Sequence, residues 1–485
     1  MALKDILDKY SIFSPFQFIM ICVLSLPLTF VATHNLMQVF TAAIPPFQCR
    51  SNITLYHKGL PPDPCTRFVS YSTNDTESCS EDYGWEYDSS EYTSTIISEW
   101  NLVCQWKSLK EVAQSIYMAG VLVGAMVYGP FADRFGRRAA VLWCLLQVAA
   151  MGTGASLSPN FTLYCVFRFL TGMGLCGFII NDLCLMVSIF QSICVTLGQM
   201  FLAGIGYAIR DWRWLQRALS LPYFLFFILA WWVPESFRWL ILANRSQQAL
   251  DNLNRVARIN GKKGASSVTL EVTVILNVAS LPLLLLCYLF SSSFCYYALA
   301  MDIQRFGLNI YLVQIVFGCS ELSLRFLSMF TVTYIGRRFS LCFYLILAGI
   351  LILSGLAIPT DMTILQISAT MLAKGFLGSA IVCSYLYTAE LYPTVLRQTG
   401  TGFTNMMMRF GAVVSPIAMM TKIYFDFLPF IIFGVVPIIC AVPIMFLPET
   451  LNSPLLDTIE EVEKGCHQGI KNTTHDAIMC SGARC

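Results

Sequence analysis

The sequence predicts an all-α polytopic membrane protein made of two six-helix halves related by pseudo-twofold symmetry. Three observations carry that prediction. Of 485 residues, 56% are hydrophobic and 12% charged, about half the charged share of a soluble domain. Twelve apolar runs are each long enough to cross roughly 30 Å of hydrocarbon as helix. Two short motifs also occur twice: ADRFGRR at 132–138 with YIGRR at 334–338, and PESFRWL at 234–240 with PET at 448–450. A motif set repeated at the same place in two series of apolar helices marks an internal duplication.

The apolar runs fall near 17–43, 112–131, 139–158, 162–183, 191–209, 215–233, 273–299, 308–332, 339–357, 363–387, 401–420 and 428–447. The first is too long for a cleaved leader and has no small-residue cleavage site, so it is read as a retained helix. Residues 1–16 then form a cytoplasmic N-terminus, 17–234 the first half, 235–272 a middle loop, 273–447 the second half and 448–485 a tail.

Orientation follows from the basic residues. Arg134, Arg137, Arg138, Arg337, Arg338, Arg255, Arg258, Lys262 and Lys263 fall in alternate loops, which the positive-inside rule places in the cytoplasm together with both termini. Arg210, Arg213 and Arg217 dissent by falling outside.

Loop 44–111 on the outer side holds Cys49, Cys65, Cys79 and Cys104 and the glycosylation sequons at Asn52 and Asn74. Two disulfides are expected there, with three pairings open. Most of the other 15 of the 19 cysteines lie in spans, as small hydrophobes. The sequons at Asn244 and Asn472 face inward and should stay unmodified, and Asn160 lies too close to the membrane.

The duplicated loop motifs resemble those of the major facilitator superfamily. YDSSEYTSTIISEWNLVC (87–104), AIRDWRWLQ (208–216), YYALAMDIQRFGLNIYL (296–312) and ELYPTVLRQTG (390–400) resemble the organic anion transporter branch of its organic-ion carriers. The resemblance covers nearly the whole chain. It implies a major-facilitator-like bundle in the plasma membrane. The implied activity is sodium-independent, alternating-access exchange of amphipathic organic anions (carboxylates, sulfate conjugates) against a counter-anion. The motif residues Asp133, Arg134, Gly136, Arg137, Arg138, Glu235 and Arg238 would form the gating latch.

One departure is visible within the chain. Arg138 to Pro234 spans 96 positions, but Arg338 to Pro448 spans 110. The shortfall of 14 falls at the turn between spans four and five, where NDLCLMVSIFQSICVTLG carries only Asp182 as a charge. A shortened, transport-deficient form is therefore an alternative expectation.

Ionisable groups at mid-membrane cost about 2.5–3.5 kcal/mol each on insertion scales, so each needs a reason. Arg409, in TGFTNMMMRFGAVVSP of span eleven, has no acid in its helix. Its cation needs an anionic partner from another helix or from cargo, or else a backbone carbonyl. The resemblance puts the family's substrate-contacting arginine here.

Arg325 in span eight has Glu321 four residues before it, the spacing of a same-face ion pair; in the family this position faces the central cavity. Lys374 in span ten meets no acid on its own face before Glu390. It is read as structural first and substrate-binding second. His34 is read as a satisfied buried imidazole, with a proton-linked or ligand role as the alternative.

The resemblance adds Asn35, Tyr296, Tyr297 and Tyr385 as cavity positions. It also marks Ile193 and Val195 as departures where relatives show tyrosines. Met406, Met407 and Met408 would accept an apolar cargo body. Gly120 and Gly124 form a small-xxx-small pair for close helix packing.

No phosphate-binding loop, zinc-protease motif, CxxC pair or nucleophile elbow occurs, and no span holds paired carboxylates. The sequence predicts no enzyme, cofactor, metal or nucleic-acid partner. An organic cation or zwitterion carrier would call for an acid where Arg409 stands.

Overall fold

The computed structural model describes residues 15–50, 64–68, 76–79, 84–182, 187–235, 240, 245, 247–248, 281–302, 309–359, 362–391 and 397–451. Arg238, Asn52, Asn74, the turn at 183–186, most of the middle loop and the tail from 452 lie outside them.

Each of the twelve apolar runs is helical over most of its described residues. In the first half the helices are α1 (Pro15–Leu36), α2 (Leu109–Phe135), α3 (Arg137–Ser156), α4 (Phe161–Asp182), α5 (Val187–Ala208) and α6, in two segments (Trp212–Ser220 and Pro222–Ala230). The second half holds α7 (Leu281–Met301), α8 (Ile310–Tyr334), α9 (Arg337–Ala357), α10 (Thr363–Leu391), α11 (Arg397–Met420) and α12 (Leu428–Ile444). Several helices outrun their apolar stretches. α10 continues through the polar TAEL to Leu391, and α11 begins at Arg397 rather than 401. Hydropathy marks the lipid-facing length, whereas backbone hydrogen bonding carries a helix past it.

The bundle is apolar outside, and inside it sets a minority of polar side chains among apolar core clusters. Trp143, Phe330 and Trp232 are 55%, 62% and 73% exposed, while Gln199, Ser292 and Glu321 are at most 1% exposed. Lipid accepts the first set, and the second must find partners within the protein. α2 and α4 approach so closely that a Cβ on Gly120 or Gly124 would overlap the Phe169 or Met173 carbonyl oxygen. The two halves meet where α2 packs on α11 and α5 on α8.

The duplicated motifs make the same structure twice. α2 and α3 are joined at Gly136 (φ 102°), and α8 leads into α9 through Gly336 (φ 114°), a left-handed conformation that favours glycine. The freed amides of the next helix are capped by a carboxylate arriving from the end of the sixth helix. Glu235 accepts the Arg138 amide at 3.1 Å, and Glu449 accepts the Arg337 and Arg338 amides at 2.8 and 3.0 Å. The Arg138 and Arg338 guanidiniums return to the Trp231 and Leu447 carbonyls. Glu390 adds a pair with Arg337 at 3.0 Å.

On the opposite side, loop 44–111 carries two antiparallel strand pairs. β1 (Phe47–Cys49) pairs with β4 (Trp85–Tyr87), and β2 (Thr66–Phe68) with β3 (Thr76–Ser78). Of the three possible pairings, the disulfides join Cys49 to Cys79 and Cys65 to Cys104.

The dissenting arginines anchor this loop. Arg213 pairs with Glu99 and donates to the Ser156 and Ser158 carbonyls at 2.7 and 2.8 Å. Arg217 donates to the Ser156 hydroxyl and Arg210 to the Ser90 carbonyl. Their charge is used locally, at the C-terminal end of α3, so the count of basic residues overstates their pull on topology.

Candidate functional site

Between the halves lies a cavity of about 170 Å³. Leu28, Val31 and Asn35 of α1, Ile179 of α4 and Val195 of α5 line one wall. Ser293, Tyr296 and Tyr297 of α7, Arg325 of α8, Ile381, Val382 and Tyr385 of α10, and Met408 and Arg409 of α11 line the other. Six of the eight sequence-predicted substrate positions therefore converge: Arg409, Arg325, Tyr296, Tyr297, Tyr385 and Asn35. Lys374 and His34 are not in the lining. Of the methionine run, Met408 is, and of the two span-five departures, Val195 is.

Arg409 is 7% exposed. Its polar neighbours are neutral, the Tyr297 hydroxyl and the Cys176 thiol. Its Nε is buried without a partner, and among the described residues no carboxylate lies within ion-pair distance. A cation held by neutral dipoles keeps its full charge for whatever enters the cavity. Nearby, the Tyr385 hydroxyl donates to the Asn405 Oδ1 at 2.6 Å and the Tyr117 hydroxyl to the Asn35 Oδ1 at 2.7 Å. These bonds fix two polar lining groups in orientation.

Arg325 does pair with Glu321, one helical turn away. The same carboxylate lies 3.4 Å from the Lys374 Nζ, with side chains 0% and 1% exposed. Lys374 thus finds its acid on α8, shared with Arg325, and not on its own helix. His34 is fully buried, its Nε2 3.4 Å from the Leu219 carbonyl oxygen and its ring edge-on to Tyr223, but its Nδ1 has no partner, so the imidazole is only half satisfied.

Sequence reasoning missed Arg168 on α4. It is fully buried, its guanidinium 4.1 Å from the Tyr117 ring centroid, and its Nε and Nη1 lack partners. Insertion cost, the criterion that found Arg409, applies equally to Arg168 in the apolar run YCVFRFLTGMG.

A membrane bundle of two six-helix halves, with duplicated capped motifs and a two-walled central cavity, is a major-facilitator transporter. The profile described as "Sugar (and other) transporter" matches residues 68–462. Solute carrier family 22 member 6-B of Xenopus laevis is 42% identical over 525 aligned positions, taking in 96% of this chain and 95% of the relative. Organic anion transporter 3 of Homo sapiens is 39% identical, taking in 96% and 94%. The inward open conformation of the xylose transporter XylE from E. coli superposes with a TM-score of 0.62 at 16% identity, covering 92% of this chain and 99% of that one. The chain belongs to the organic anion transporter branch of the organic-ion carriers, within the sugar (and other) transporter family, whose members are transporters and not enzymes. The 525 aligned positions exceed this chain's 485 residues, so the relative carries internal residues that are missing here.

Proposed function

We propose that the chain carries amphipathic organic anions across the plasma membrane by sodium-independent, alternating-access exchange. The two halves rock about the central cavity, with the disulfide-bonded loop outside and both termini in the cytoplasm. The observation that carries this reading is Arg409, a buried cation at the cavity wall whose neighbours are neutral. A carboxylate or sulfate supplies the missing counter-charge, and Val31, Ile179, Ile381 and Met408 receive the apolar body. The names of the relatives agree with an anionic cargo. Asn35, Tyr297, Tyr385 and Arg325 orient the cargo. Asp133, Arg134, Arg137 and Arg138, with Gly136 and Glu235, form the gating latch of the first half, and Arg238 belongs to the same motif.

The test is uptake of labelled estrone sulfate or para-aminohippurate in transfected cells, with surface biotinylation alongside. Arg409→Ala and Arg409→Asp abolish uptake at unchanged surface level. Wild-type uptake by either variant overturns the assignment.

A second reading is a transport-deficient form, favoured by the internal residues that relatives have and this chain lacks. Retention in the endoplasmic reticulum with immature glycans, and no uptake, supports it.

A further inference from the structure

Gln199 of α5, in the first half, is 1% exposed. Its Nε2 donates to the Tyr296 hydroxyl at 2.8 Å and to the Glu321 Oε2 at 3.4 Å, and its Oε1 accepts from the Lys374 Nζ at 2.9 Å. All three partners belong to the second half. Glu321 also accepts from the Tyr296 hydroxyl at 3.2 Å and pairs with Arg325. Arg325 and Tyr296 line the cavity; Gln199, Glu321 and Lys374 stand behind them. One neutral amide therefore ties the first half to a carboxylate whose other partner faces the cargo space.

We propose that Gln199 is a positioning residue that links cavity occupancy to the seam between the halves. An anion engaging Arg325 competes with Glu321 for it. Glu321, released from Arg325, pairs more fully with Lys374 and draws its ammonium off the Gln199 amide, and α5 is freed to part from α8 and α10. This rests on the anion-carrier reading above.

Charge explains why the tether is an amide. Glu321 offsets one of Lys374 and Arg325, so the cluster keeps one surplus positive charge towards the cavity. A carboxylate at position 199 would cancel that surplus, and it would form a buried cross-half ion pair with Lys374 that is costly to break. A neutral amide holds and releases with neither effect.

The seam itself provides a reporter. Ala203 on α5 is 0% exposed and sits with Phe40, Tyr311 and Phe317 in an apolar cluster shared by both halves. Ala203→Cys is introduced into the full chain. Its modification by a membrane-impermeant thiol reagent is measured on cells above the background of the parent, beside KM and Vmax for estrone sulfate.

Gln199→Leu speeds modification about tenfold, the scale of losing a buried hydrogen bond to a charged group, with KM changed less than about threefold. Gln199→Glu slows modification and raises KM about tenfold, because the added negative charge offsets Arg325. Saturating estrone sulfate speeds modification in the parent but adds nothing in Gln199→Leu. Modification of Gln199→Leu at the parental rate overturns the tether. If Gln199→Leu fails to reach the surface, unchanged modification and KM in Gln199→Glu overturn it instead. A chain that moves no estrone sulfate, yet shows the opposite labelling shifts of the two variants, keeps the tether and refutes only the anion-carrier reading.

Discussion

The Glu449 carboxylate caps α9 by accepting the Arg338 amide at 3.0 Å, with the Arg337 amide at 2.8 Å on its other oxygen. It reaches that position because Gly336 lets the chain turn without a Cβ, which would stand 2.7 Å from the Glu449 Oε2. Loss of a helix N-cap costs about 1 kcal/mol. Glu449→Ala should therefore lower the thermal midpoint of the purified protein by about a degree, and Glu449→Gln by less. Gly336→Ala combines backbone strain at φ 114° with displacement of the cap and should lower it further. An equal midpoint for Gly336→Ala and wild type would show that the junction is not set by the glycine.

The disulfides Cys49–Cys79 and Cys65–Cys104 close loops of 30 and 39 residues. Chain-entropy reasoning gives each about 3–4 kcal/mol of stabilisation of the loop domain. Non-reducing peptide mapping should recover these two pairs and neither alternative. Cys65→Ser and Cys104→Ser should give the same loss of surface protein, and the double variant no more than either alone. Additive losses would refute the pairing.

Much of the fold was legible because lipid imposes one rule, continuous apolar helix, and twelve runs obey it. The duplicated motifs were legible too, but their chemistry was not. The capping acids Glu235 and Glu449 lie 97 and 111 residues from the Arg138 and Arg338 amides they bind. Arg409 stood out because its own helix holds no acid. Lys374 looked equally alone, since Glu321 reaches it from another helix. One-dimensional spacing sees partners on the same face and misses those across a packed seam. The loop-side arginines show the same limit: their partners, Glu99 and the Ser156 and Ser158 carbonyls, are remote in sequence.

Arg168 offers a test of what an unpaired buried cation costs this bundle. It is 0% exposed and held by the Tyr117 ring and, at 3.5 Å, the His34 carbonyl. A desolvated cation–π contact contributes about 2 kcal/mol, less than the several kcal/mol needed to desolvate an ion. Arg168→Met, which keeps the length of the stem, should raise the thermal midpoint. It should also weaken uptake, because Tyr117, which orients Asn35 at the cavity, loses its support. A lower midpoint would mean that the cation is balanced by groups other than these.

Glu321 shared between Arg325 and Lys374 sets up the last prediction. Removing one partner of a buried pair costs about 3–5 kcal/mol because the other charge is stranded. In Lys374→Met, Glu321 keeps Arg325, so the loss should fall at or below the lower end of that range. Glu321→Gln instead strands two cations, one of which already lines the cavity. This variant should have a lower midpoint than Lys374→Met when empty. It should also gain more from added estrone sulfate than wild type does, since ligand stabilisation grows with affinity for the folded state. The double variant Glu321→Gln with Lys374→Met restores one positive charge, on Arg325. Its midpoint should therefore exceed that of Glu321→Gln alone. Thermal scans of the four proteins with and without the anion decide the matter: additive single-variant effects would show that Lys374 and Arg325 do not share the Glu321 carboxylate.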